Sequence, residues 1–121
     1  MRQALVGALV AVTMLAGAAH AQQAAVGTWA MTVVSPISET KSTLVIREDG
    51  GVLKAVVKGA QGERALDKIE VAGAKITMVI TISYEGSPMV ITYTGTVEQG
   101  KMGGDADFGG LATGSWSATA Q

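Results

Sequence analysis

The chain contains no cysteine and one histidine, and its aromatic residues are two tryptophans, two tyrosines and one phenylalanine. Without cysteine there is no disulfide to staple the fold and no thiolate to attack a substrate or ligate a metal. The single histidine, His20, falls in an N-terminal segment that reads as a cleavable leader. The remainder has neither imidazole nor thiol, which excludes Ser-His-Asp and Cys-His nucleophilic catalysis and the usual zinc ligand sets. It also lacks the side chain best suited to proton transfer near neutral pH. Charge is sparse and balanced, nine Lys+Arg against ten Asp+Glu, with no run of one sign. That balance gives no footprint for nucleic acid or an anionic membrane surface.

What is present begins with Arg2, an apolar run from Ala4 to about Ala19, and Ala19-His20-Ala21. These are the basic, apolar and small-x-small parts of a secretory signal peptide, so cleavage is expected between Ala21 and Gln22. The expected organisation is a leader over 1–21 and a single domain over 22–121, periplasmic or secreted, with no membrane insertion after cleavage. Removing 21 of 121 residues leaves 100, and removing Arg2 leaves eight basic against ten acidic groups, a net charge of −2. That length supports one domain with one modest core.

Past the leader, short alternating runs are separated by Gly-containing turns at roughly 8–12 residue spacing, the all-β pattern. Strands are expected over Val26–Val34, Thr40–Glu48, Val52–Lys58 and, more weakly, Leu66–Val71. Asp49-Gly50-Gly51 joins the second to the third as a hairpin turn. In "KITMVITISY", Ile76, Met78, Ile80, Ile82 and Tyr84 share one face, and Thr77, Thr81 and Ser83 the other. "MVITYTGTV" repeats this with Met89, Ile91 and Tyr93 against Thr92, Thr94 and Thr96. "KMGGDADF" and Ser115–Ala120 complete the set. The expected fold is an all-β, eight-stranded antiparallel up-and-down meander closed into a barrel, with an open two-sheet β-sandwich as the alternative. Closure would bring the first and last strands together, so Trp29 and Trp116 are expected near one another across the seam.

Gly27-Thr28-Trp29 at the head of the first strand resembles the Gly-x-Trp opening of calycins, the group of lipocalins, avidins and fatty-acid-binding proteins. The resemblance implies an eight-stranded barrel in which the first-strand tryptophan closes one end. The chain departs from lipocalins in lacking an arginine after Arg64. A second resemblance is to exported bacterial β-barrel modules, carried by Gly51-Val52-Leu53, Gly73-Ala74-Lys75-Ile76, Tyr93-Thr94-Gly95-Thr96-Val97, Met102-Gly103 and Gly114-Ser115-Trp116. With the seam placing Trp116 beside the first strand, Gly27, Trp29 and Trp116 are expected to serve barrel closure, a structural role.

Three patterns invite chemistry and each has a plainer reading. "SETK", Ser38 to Lys41, matches the Ser-x-x-Lys of serine acyl-enzymes, but that chemistry needs a helix and these residues enter a strand. "GGDADFGG", Gly103 to Gly110, has Asp105 and Asp107 two apart, yet Ala106 stands where a calcium repeat needs glycine. Glycosidase carboxylates need a cleft and a sugar platform, whereas Glu39, Glu48, Asp49, Glu63, Glu85 and Glu98 fall mostly in turns. The reading is therefore not an enzyme, with no catalytic residue, no metal and no cofactor.

The inward set of Trp29, Met31, Met78, Ile80, Ile82, Met89, Ile91, Tyr93 and Trp116 either fills the barrel or lines a lumen. The expected function is a binding module. Its ligand is a small apolar molecule at the barrel mouth, held by Tyr84, Met89, Tyr93 and Met78. The alternative is a periplasmic protein partner engaged as an inhibitor-type barrel would do it, and a carboxylate-based hydrolase stands furthest behind.

Overall fold

A computed structural model describes residues 24–60 and 62–121. The expected leader and its cleavage point lie outside the described residues. Nine strands follow one another: β1 (Gly27–Val34), β2 (Glu39–Asp49), β3 (Val52–Gly59), β4 (Gly62–Ala65), β5 (Lys68–Ala72), β6 (Lys75–Tyr84), β7 (Ser87–Glu98), β8 (Lys101–Phe108) and β9 (Ala112–Ala120). They form one antiparallel sheet in the order β4-β3-β2-β1-β9-β8-β7-β6-β5. Every neighbour except β1 and β9 is also a neighbour in sequence, as a meander requires.

This architecture corrects the expected one in two respects. Among the described residues there are nine strands rather than eight, and their ladder is not closed: it has two edges, β4 and β5. The two-sheet alternative is also not what forms, since all nine strands belong to one sheet. The physical reason lies in the run expected as the fourth strand. Successive amides of an extended chain point to opposite sides, and here the Leu66 amide donates to Ala55 of β3 while the Asp67 amide donates to Val79 of β6. The chain changes partner at that point, so β4 pairs only with β3 and β5 only with β6. All four residues of β4 are exposed, so this short strand has no apolar anchor to hold it in a longer ladder.

The core occupies one face. Leu44 and Ile46 of β2, and Ile76 and Met78 of β6, are the largest fully buried side chains and belong to a single apolar cluster. Those strands stand five places apart in the sheet, and no second layer covers them among the described residues. A lone sheet buries one face only by curling over it. The alternation read from the sequence holds: Ile76, Met78 and Ile80, and likewise Ile91 and Tyr93, are buried while the threonines between them are not.

The main chains come close where β7, β8 and β9 cross one row of inward positions: Gly95 opposite Gly104, and Gly104 opposite Trp116. A Cβ on Gly104 would collide with the Thr94 carbonyl, and one on Gly95 with the backbone of Gly103. The two glycines thus let the main chains approach, and the Trp116 indole spans them to donate from Nε1 to the Thr94 carbonyl at 3.1 Å.

Candidate functional site

The two ends of the curled sheet differ. At the end where β1 begins, Trp29 is buried and its indole Nε1 donates to the buried Ala25 carbonyl at 2.9 Å. The chain entering β1 is thereby folded beneath the ring, and apolar side chains fill this end. Trp29 and Trp116 do not face each other, because the β1–β9 register sets Trp29 opposite Ala120 and Trp116 opposite Val33. The Trp116 ring instead meets Tyr93 edge-on, centroids 6.0 Å apart at 71°. Such a pair contributes ~0.5–1.5 kcal/mol beyond the area it buries. Gly27 opens β1 with φ of 142°, so it serves the entry of the strand.

The opposite end, where the 35–38, 85–86 and 109–111 connections lie, holds a cavity of about 590 Å³. That is within the ~300–1,000 Å³ usual for small-ligand sites. Its wall is mainly aliphatic and aromatic, with Ile80, Ile82, Met89, Ile91, Tyr93 and Phe108 among the contributors. At the rim, Ile37 and Leu111 are 86% and 78% exposed, and Tyr84 is 44% exposed. Large apolar side chains this open, clustered round one entrance, are unusual for a surface that meets only water.

Of the residues expected to hold a ligand, Tyr84, Met89 and Tyr93 all line this cavity. Met78 does not. It lies one inward position deeper on β6 than Ile80, fully buried in the filled half. Sequence reasoning missed the contributions of Ser42, Phe108, Leu111 and Arg64. Among the described residues Arg64 is the only charged one of the lining, and it shares its face of the sheet with Val57, its register partner on β3. Its Nη1 donates across the open seam to the Thr81 carbonyl of β6 at 3.3 Å. Thr81 in turn donates from Oγ1 to Asp67 Oδ2 at 2.6 Å. Side chains, not a ladder, therefore close the seam beside the cavity.

The chemically suggestive patterns resolve into local structure. Ser38 shares a hydrogen bond with Ser35 Oγ at 3.1 Å, and Ser35 Oγ also accepts from the Ser38 amide at 3.1 Å, which fixes the connection at the rim. Asp107 Oδ1 accepts from the Gly110 amide at 3.0 Å and so shapes the turn between β8 and β9. No group of three or more acidic residues is gathered as a metal site would need among the described residues.

One ionisable group is displaced by its surroundings. Burial pushes the Tyr93 hydroxyl above its ordinary value of 10.0, because the phenolate would be poorly solvated there. A folded-state value above the unfolded one means the contribution is fully present below about pH 10 and is lost as pH rises through the raised value. Urea midpoints compared at neutral pH and well above pH 10 should therefore fall more for the wild type than for Tyr93→Phe, which has nothing to ionise.

Fold and site together define a single curled antiparallel sheet, filled at one end and hollow at the other. Comparison with protein-family models, with curated proteins and with solved structures finds no significant match.

Proposed function

We propose that the protein is a non-enzymatic binding module that takes a small apolar ligand into the cavity between the 35–38 and 109–111 connections. The observation that carries this reading is the combination of a ligand-sized hollow with an exposed apolar rim. Packing energy alone would favour filling that volume, as the same sheet does around Trp29 at its other end. In this reading the sheet is a calycin-like barrel opened along the β4/β5 seam. Supporting that, β1 and β9 pair with each other, and the amides of Leu66 and Asp67 reach both sides of the break. The leader pattern and the absence of cysteine suit an exported protein that folds without oxidative help.

The test is fluorescence titration with N-phenyl-1-naphthylamine, an uncharged dye that brightens in apolar surroundings. The wild type is expected to bind it with a single saturable site. Ala112→Trp, which places an indole in the cavity from β9, should abolish the binding while the urea midpoint changes little. A dye signal unaffected by that substitution would place the dye elsewhere and remove the basis for the reading. A second reading, favoured by the exposure of Ile37 and Leu111, is a protein partner that inserts an apolar side chain into the same mouth. It would show as competition between such a partner and the dye.

A further inference from the structure

The cavity wall is apolar except at one place, and that place has a definite chemistry. Arg64 is the lone charge on the lining among the described residues, and it reaches the cavity from the edge strand β4 beside the open seam. Its one protein hydrogen bond among the described residues uses a single Nη atom, leaving most of the guanidinium's five N–H donors free. Among the described residues no carboxylate pairs with it: the ion pairs there are Lys54–Asp49, Lys58–Glu63 and Lys68–Glu70. Asp67, which shares Thr81 with Arg64, is already accepting the Thr81 hydroxyl. Arg64 is exposed, so its guanidinium stays hydrated where it borders the apolar hollow, and its unused donors are open to a ligand.

The neighbouring wall leaves room for that partner. The β2–β3 ladder ends at Thr43–Lys58, so Ser42 and Gly59 are the next residues beyond it, and Gly59 is opposite Gly62 of β4. Both glycines line the cavity, as do Ser42 and Thr40. Gly59 and Gly62 present no side chain to this part of the wall, and nothing lies within contact range of either position. A head group seated there meets a planar cation on one side and a hydroxyl donor on the other. The rest of the molecule would face Ile80, Ile91 and Tyr93.

Building on the apolar-ligand reading above, we propose that the natural ligand is an amphiphile with one anionic head group, bound head-to-Arg64 and tail into the cavity. The guanidinium fork matches carboxylate and phosphate oxygens alike. The seam beside Arg64 gives the head group access to water, so it keeps part of its hydration while the tail is buried. Binding uses the donors that the Arg64–Thr81 contact leaves free and adds a charge-assisted bond to it.

Displacement of N-phenyl-1-naphthylamine by dodecanoate, dodecyl phosphate and dodecanol separates head from tail, since all three share one chain. The wild type should take the better of the two anions about threefold to tenfold more tightly than dodecanol, the modest range reflecting an exposed arginine. Preference for dodecanoate assigns a carboxylate, and preference for dodecyl phosphate a phosphate ester. Arg64→Gln should bring the anions level with dodecanol without changing dodecanol itself, and Arg64→Lys should keep part of the preference. Equal competition by all three in the wild type would overturn the proposal while leaving the apolar site intact. So would an Arg64→Gln protein that keeps its anion preference; if that protein also self-associates, Arg64 guards the sheet edge and nothing more. Failure of the dye to bind the wild type at all removes the underlying reading, and this proposal with it.

Discussion

Replacing Trp29 with alanine is expected to destabilise the domain by ~3–5 kcal/mol, the usual loss for a fully buried large aromatic. Two terms add. The ring is almost wholly buried at the filled end, and its indole N–H is the partner of the buried Ala25 carbonyl. Alanine leaves a hole and an unsatisfied acceptor together. Single domains are stable by only ~5–15 kcal/mol, so a loss of this size approaches unfolding at moderate temperature. Trp29→Phe separates the terms: it keeps most of the packing and forfeits the hydrogen bond, at about 1 kcal/mol. Urea unfolding of the two variants measures both. A Trp29→Ala protein with wild-type stability would mean that the ring does not close that end. One that folded normally yet lost the dye would mean that Trp29 belongs to the binding site instead.

Gly104→Val should be as damaging for the opposite physical reason. Overpacking in a well-filled region costs ~1–3 kcal/mol when neighbours can shift. Here the colliding atoms are the Thr94 carbonyl and the Gly95 main chain, which cannot swing aside as a side chain can. Relief requires β7 and β8 to separate, and that pulls the Thr94 carbonyl away from Trp116 Nε1. The Tyr93–Trp116 pair then loses its geometry as well. The expected result is loss of the native near-ultraviolet dichroism at room temperature. Gly100→Ala is the control, because its position has no neighbour within contact range and only its φ of 77° is strained. It should cost much less.

Much of the fold was legible because period-two alternation is strong where strands are long. The runs 76–82 and 89–93 carry bulky apolar residues at every second place, and the sheet turns that face inward. The stretch 62–72 was not legible in the same way. Its first half offers Gly62, Glu63, Arg64 and Ala65, none of which marks an inward side. The division into β4 and β5 depends on which neighbour each of two adjacent amides finds, and that is a tertiary matter. Arg64 was missed as part of the site for this reason: the face of a four-residue strand without an apolar marker is known only from its register with β3.

The candidate site was legible in part. Tyr84, Met89 and Tyr93 cluster because tight turns keep β6 and β7 in simple register, Met78 opposite Tyr93 and Tyr84 opposite Ser87. Depth along the sheet was not accessible from sequence. Met78 and Ile80 look equivalent in the alternation, yet one lies in the packed half and the other borders the hollow. The tryptophans likewise sit on adjacent strands as the echo of their two motifs suggested, but a four-residue offset in register keeps them apart.

The β1–β9 ladder has a consequence for how the chain reaches its native state. This pair lies at the middle of the strand order, and it is the only contact in the ladder between strands remote in sequence. Strands β1–β4 and β5–β9 can each form as a local meander, but each half alone presents an uncovered apolar face. The halves become one sheet only when β9 arrives beside β1. Pairing across such a sequence separation is slow, because the loop must close before any contact rewards it. Joining of the two halves is therefore gated by the arrival of β9 beside β1, and until then the chain holds two separate, half-covered meanders.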